Sequence, residues 1–299
     1  MATAVIDIGT NTLLLLIVDD ACKRLVDLCR FGRLGKGLDA SGNLAPDAIE
    51  RSLEICREYR HVMDDHGVTA PAVIATQALR EAKNARAFVE PAQHILGAPI
   101  EIIAGAREAE LAFISVARSL TELAGQRYVV VDVGGGSTEL IATDGSRVVS
   151  AVSVPIGAVR LTERHLKSDP PTARELAALD ADIAKALAPL ELPTGVPIVA
   201  TAGTATTMAA VHLALATYDP DAVTGLRLAP EVVGALYRRL AALTVAERKQ
   251  LAGIEPQRAD VIAAGVGIYA QLVERIAAPV LITCDRGIRW GVAYERAGR

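Results

Sequence analysis

The sequence predicts an α/β protein built from two similar domains, on three observations. Short aliphatic strands alternate with helical stretches along the chain, the pattern of a layered α/β architecture. One strand–turn–strand motif occurs twice, its second copy offset by 125 residues, so that Asp132 stands where Asp7 stands in the first. At 299 residues the chain is longer than one ordinary core requires, which favours about two domains.

The first domain opens on three strands, at about 3–8, 12–19 and 23–31. The turn-rich GRLGKGLDASGNLAPDAIE follows, and Pro46 marks a helix start, because proline suits the first helical turn. That helix runs to about His66. AVIA at 72–75 is a strand with a helix near 84–96 behind it, and IEII at 100–103 leads to a helix at about 106–120. The pattern then restarts. Strands at 127–132, 137–143 and 147–154 precede helices at about 158–166 and 172–188, and PIVAT at 197–201 runs through a Gly-Thr turn into another helix. After two further helices and a long one near 256–276, VLIT at 280–283 is the last strand and a final helix follows it. The boundary is expected in LTELAGQ, giving domains 1–122 and 123–299. Two similar domains facing one another would make a cleft, and ligands favour clefts between domains.

The repeated motif carries the chemistry. VIDIGTNTLLLLIVDD (5–20) aligns with VVDVGGGSTELIATDG (130–145), placing Gly9 on Gly134 and Thr12 on Ser137. Glycine lets a ligand approach the backbone, and successive amides of such a turn converge into an anion-binding nest. The hydroxyls of Ser137 and Thr138 add donors. Asp132 ends one strand and Glu139 starts back along the next, where both can face a cation. A bulged β-hairpin with Asp132 capping the turn would leave the same local sequence. DIGTNT at 7–12 repeats the acid, the glycine and the hydroxyls, and TAGTATT at 201–207 sets Gly203 and Thr204 at a helix start. Helix starts bind anions, although threonine there is also an ordinary cap.

Composition narrows the field. Apolar residues make up 51% of the chain but aromatics only 3%, so a platform for stacking nucleic-acid bases is not expected. A formal charge of −4 argues against nonspecific nucleic-acid or membrane surfaces, while leaving room for a small anion in a local pocket. Cys22, Cys29, Cys56 and Cys284 form no CxxC pair, and the five histidines show no metal spacing. The opening MATAVIDIG enters a strand at once and the longest aliphatic run, Leu13 to Val18, is too short to span a bilayer, so a cytoplasmic protein with reduced thiols is expected.

Three turns of this kind resemble the phosphate clamps of the actin, sugar-kinase and acetate-kinase superfamily. More closely, the chain resembles the exopolyphosphatase / guanosine pentaphosphate phosphohydrolase (Ppx/GppA) family. The segments that carry the resemblance are DIGTNT, ATQALREAKN (75–84), IEIIAGAREAELAF (100–113), VVDVGGGSTEL, VPIGAVRLTE (154–163), TAGTATT, RADVIAAG (258–265) and CDRGIRWGVAYE (284–295). They run in family order over the whole chain. The resemblance implies two actin-like (ribonuclease H-like) domains, in the family's short two-domain form.

It also implies roles. Glu108, in IIAGAREAE, aligns with the family's general base, whereas the residues alone also allow it, like Glu110, to be a first-turn acid meeting the helix dipole. Arg107 stands where many relatives carry an acid, and a cation beside Glu108 would lower its pKa. Phosphate-binding positions fall on Asp7, Gly9, Thr10, Asn11 and Thr12, on Gly134, Gly135, Gly136, Ser137 and Thr138, and on Gly203 and Thr204. Asp132 and Glu139 match the acids tied to Mg²⁺ and to activity. Arg80 and Arg258 match basic positions facing the polyanion, and Arg33 and Lys36 are weaker candidates. The reaction implied is hydrolysis of a terminal phosphoanhydride, with Glu108 accepting the proton of an in-line water and no covalent intermediate.

The substrate is expected to be inorganic polyphosphate, with guanosine pentaphosphate as the alternative. An ATP-dependent kinase would need a sugar-binding segment that the sequence does not display. A non-hydrolytic sensor would not need Asp132, Glu139 and Glu108 together. Chain-length preference, a monovalent-cation requirement beside Mg²⁺ and oligomeric state stay open, a homodimer resting on analogy alone.

Overall fold

The computed structural model of the protein describes residues 2–298. The chain divides into two compact units, Met1–Ser115 with Ile288–Arg299, and Val116–Gly287. The first contains β1 (Thr3–Ile8), β2 (Leu13–Val18), β3 (Arg24–Arg30), α1 (Leu38–Ser41), α2 (Pro46–Asp65), β4 (Ala72–Ala75), α3 (Gln77–Glu81), α4 (Arg86–Leu96), β5 (Ile100–Ile102) and most of α5 (Gly105–Ser119). The second contains β6 (Tyr128–Val133), β7 (Thr138–Thr143), β8 (Val148–Val154), α6 (Ala158–His165), α7 (Ala173–Leu187), β9 (Ile198–Thr201), α8 (Ala202–His212), α9 (Pro220–Val223), β10 (Arg227–Leu228), α10 (Pro230–Ala242), α11 (Val245–Arg248), α12 (Ile262–Ile276) and β11 (Leu281–Thr283). The last helix, α13 (Ile288–Arg296), belongs to the first unit.

The two sheets share a design. Their orders are β3-β2-β1-β4-β5 and β10-β11-β9-β6-β7-β8. In each, an antiparallel meander (β1–β3, β6–β8) joins parallel strands (β4 and β5, β9 and β11) through its first strand. Even the irregularities repeat: the register slips between Ile17 and Val18 in β2, and between Ala142 and Thr143 at the matching place in β7. Central strands read as apolar runs, LLLLIV in β2 and YVVV before Asp132 in β6, and are buried almost throughout. Strands covered on both faces need no polar alternation. The edge strands β3 and β8 are exposed or half-buried over nearly their whole length and interleave polar residues, which discourages edge pairing with other chains.

The observed division differs from the expected domains 1–122 and 123–299. The final helix packs on β1 and β2. It buries Ile288, Trp290 and Tyr294, and Arg289 Nη2 reaches both carboxylate oxygens of Asp27 on β3 at 3.1 Å. A helix amphipathic by sequence cannot declare which sheet it covers. The expected long helix near 256–276 is a 3-10 turn, Pro256–Arg258, followed by α12. Among the described residues, no helix is long and apolar enough to cross a membrane.

Candidate active site

In the second unit the turn after β6 is shaped from both sides. The Gly134 amide closes it onto the Ser137 carbonyl at 3.0 Å. The carbonyls of the turn are taken by the start of α6. Gly134 O accepts from Ala158 N (2.9 Å), Gly135 O from Val159 N (2.8 Å) and Arg160 N (3.1 Å), and Gly136 O from Arg160 Nε (2.8 Å). In a planar trans peptide the next N–H points opposite to the carbonyl, and these peptides are trans. The amides of Gly135, Gly136 and Ser137 therefore turn together away from α6, as an anion nest requires. Gly157 makes this docking fit, since a Cβ there would lie 2.6 Å from the Gly135 backbone.

Asp132 and Glu139 are direct partners on the β6–β7 ladder, so their side chains share one face of the sheet. Thr201 donates to Asp132 Oδ2 at 2.8 Å and Ser153 to Glu139 Oε1 at 2.7 Å. Burial pushes the Asp132 carboxyl above its ordinary pKa, and the Thr201 hydrogen bond opposes that shift only in part. Among the described residues Asp132 has no ion pair with a base, and no cluster of three or more metal-ligating side chains occurs. Two adjacent carboxylates, one of them disfavoured as a bare anion, fit a divalent cation that keeps most of its waters, as Mg²⁺ does.

Behind this pair, α8 starts at Ala202, with Gly203 and Thr204 in its first turn. The guanidinium of Arg258 lies over Gly203, where a Cβ would be 2.6 Å from Nη2, and its Nη1 donates to Thr207 Oγ1 at 2.9 Å. An arginine across a helix N-terminus adds charge to an end that already favours anions. Thr204 is buried and its hydroxyl donates weakly to Val133 O at 3.4 Å, and Thr138 is turned inward more firmly. It is fully buried and its hydroxyl donates to Ile156 O at 2.7 Å, so it braces the turn from behind.

In the first unit the turn after β1 has the same closure, Gly9 N to Thr12 O at 2.9 Å. Its clasp is the segment 32–37 in place of a helix start. Gly35 N donates to Thr10 O (2.8 Å) and Arg33 N to Asn11 O (2.9 Å), so the amides of Asn11 and Thr12 point to the other side. A Cβ on Gly35 would fall 2.1 Å from Thr10 Cγ2. Arg33 holds φ 54°, the left-handed region that a side chain disfavours. This places Arg33 beside the turn and leaves Lys36 exposed at the end of the clasp. Asp7 is buried at the end of β1, opposite Leu14.

Glu108 lies in the first turns of α5 and is only 6% exposed. Arg80, from α3, ion-pairs with its Oε1 and also donates to Ile103 O at 2.6 Å. The cation on Glu108 is thus Arg80, and the expectation that Arg107 modifies Glu108 is corrected. Arg107 points outward, donating to Glu110 at 3.1 Å and to Glu295 of α13 at 3.0 Å, and its own pKa is raised mainly by the Glu295 hydrogen bond. On a helix the side chain next in sequence is rotated about 100° away, so adjacency did not mean contact.

Comparison with known proteins now bears on this geometry. The model of the Ppx/GppA phosphatase family matches residues 17–299. The chain belongs to the Ppx/GppA phosphatase family. Membership makes it an enzyme, a phosphoanhydride hydrolase, and its two α/β units agree with the two-domain α/β fold that the resemblance implied. It is 36% identical to Exopolyphosphatase 2 of Mycobacterium tuberculosis over 99% of this chain and 98% of that protein. Among solved structures, the family member from Aquifex aeolicus superposes with a TM-score of 0.81 at 33% identity, over 99% of this chain and 97% of that one. An exopolyphosphatase from Cytophaga hutchinsonii gives 0.91 at 26% identity, over 100% of this chain and 98% of that one.

Residue reading missed the clasps. Gly157 and Arg160 sit in VPIGAVR, a segment that carried the resemblance but no role. Gln77, beside Thr10, also escaped, because its equivalence to Thr204 shows only in strand register.

Proposed function

We propose that the chain is an exopolyphosphatase, removing the terminal phosphoryl group of inorganic polyphosphate as orthophosphate. The observation that carries this is Glu108, a buried carboxylate fixed by a guanidinium, in a chain whose relatives over nearly its full length are named for that activity. Phosphoryl transfer asks a protein mainly for positioning and for charge to offset the phosphoryl oxygens. The amides of Gly135, Gly136 and Ser137, with those of Asn11 and Thr12, supply donors. Arg258 over the α8 N-terminus supplies positive charge. Asp132 and Glu139 would hold Mg²⁺, which when bound offsets the negative charge of phosphate oxygens.

Glu108 accepts the proton of the attacking water. Arg80 orients that carboxylate through Nη1, and a guanidinium's five N–H donors leave others to engage phosphate. Hydrolysis then needs no covalent intermediate, and the products are orthophosphate and a chain one unit shorter.

The test is orthophosphate release by the purified protein with Mg²⁺ from short polyphosphate, long polyphosphate and guanosine pentaphosphate in parallel. The proposal expects polyphosphate to be turned over with the higher kcat/KM. Preferential release from the pentaphosphate would assign the chain to the family's other activity. No release from any of the three would refute hydrolysis.

A further inference from the structure

We infer that Gln77 is a phosphate ligand of the first unit, donating its side-chain amide to an oxygen of the polyanion held at the turn after β1. The inference rests on the reading of that turn as a phosphate cradle. Three observations lead to it.

The first is position. In the two sheets, Asp7 pairs with Ile74 and Asp132 pairs with Thr201 across equivalent parallel ladders. Three residues beyond each partner, at the start of the following helix, lie Gln77 and Thr204. Gln77 is to the first turn what Thr204 is to the second. The second is contact. The Thr10 hydroxyl, within the turn itself, donates to Gln77 Oε1 at 3.0 Å. The carboxamide is thereby fixed against the turn, with Nε2 on the same rigid group.

The third is an unmet donor. Gln77 is 96% buried, at 4% exposure, and among the described residues its Nε2 has no acceptor. A buried amide donor is costly to leave unpaired, so such groups nearly always have a partner. The Asn11 and Thr12 amides, turned away from the 32–37 segment, are further donors of the same turn, and an anion held there can draw on them together with Nε2. Phosphate suits the set because its oxygens accept in several directions and carry charge that strengthens each bond.

The experiment uses the full chain with Mg²⁺ and tripolyphosphate as the probe, measuring affinity by calorimetry. Gln77→Glu keeps an acceptor for Thr10 and replaces the donor by a charged oxygen. Gln77→Met removes the donor without adding charge. Circular dichroism and melting confirm that each variant is folded, and if Gln77→Glu is not, Gln77→Met decides. The inference expects Kd to rise about tenfold or more for both, the loss of one bond to a charged acceptor. Unchanged Kd in either folded variant, or no tripolyphosphate binding by the wild type, overturns it. Orthophosphate release by the wild type is read separately. A wild type that binds without hydrolysing, with affinity lost in both variants, would support Gln77 while refuting the exopolyphosphatase reading.

Discussion

The turn after β1 closes through Gly9 N to Thr12 O at 2.9 Å, and the turn after β6 through Gly134 N to Ser137 O at 3.0 Å. In both, a Cβ on the closing glycine would stand 3.2 Å from the same carbonyl. The backbones are copies; the side chains are not. Asp132 faces Glu139 across its ladder, whereas Asp7 faces Leu14. The second turn is clasped by the start of α6, and the first by an irregular segment with Arg33 in the left-handed region. The comparison teaches that this fold fixes where amides converge, while a single position on the returning strand decides whether a second carboxylate joins the acid. The paired acids belong to the second unit alone, and the buried Glu108–Arg80 pair to the first.

Giving the second unit the first unit's residue is the sharpest way to break that difference. Glu139→Leu should lower orthophosphate release on the order of 100-fold and blunt the response to Mg²⁺, while Leu14→Met stays near wild type. A Mg²⁺ titration of both variants checks this, and equal effects would erase the distinction between the turns.

A second contrast concerns the two arginines nearest Glu108 in sequence or space. Arg80→Gln removes the guanidinium that orients the Glu108 carboxylate and should cut release about tenfold or more, because a base displaced from its line of attack loses most of its effect. Arg107→Gln breaks only pairs that are over a third exposed. It should stay within about twofold in activity and cost about 0–1 kcal/mol of stability. Steady-state kinetics and thermal melts on the two variants report both quantities, and a larger effect from Arg107 would restore it as the partner of the base.

The clasps differ in how far they can yield. Gly157→Ala drives a methyl into the backbone of Gly135, which cannot rotate aside, and should destabilise the protein by about 1–3 kcal/mol. Gly35→Ala meets a side-chain methyl of Thr10, which can turn aside by giving up its hydrogen bond to Gln77 without moving backbone, so a smaller loss is expected. Melting temperatures rank the two, and the reverse order would mean that the first turn is the stiffer one.

Much of this was legible in the sequence for physical reasons. A glycine turn flanked by apolar strands, repeated at constant offset, specifies backbone shape locally, so the turns, the facing of Asp132 and Glu139 and the succession of strands along the chain could be anticipated. Contacts set by the tertiary path could not. The α13 helix is amphipathic wherever it lands, and only packing on β1 and β2 assigns it to the first unit. Arg107 and Arg80 are both arginines near Glu108, but the helix turns one outward and β4–α3 delivers the other. Thr138 looks like any turn hydroxyl until Ile156 O accepts its hydrogen bond. Gln77 lies in a segment with no glycine signal, and its equivalence to Thr204 emerges only from strand register.

The central claim is that Glu108 accepts the proton of the attacking water while the turns hold the phosphate chain. Glu108→Gln, nearly isosteric, tests it most directly, with orthophosphate release and tripolyphosphate affinity measured on the same preparation. The account predicts release lowered about 10²–10⁴-fold with Kd changed by no more than a few-fold. Release that survives the substitution would contradict it, and so would a loss of activity explained wholly by lost binding.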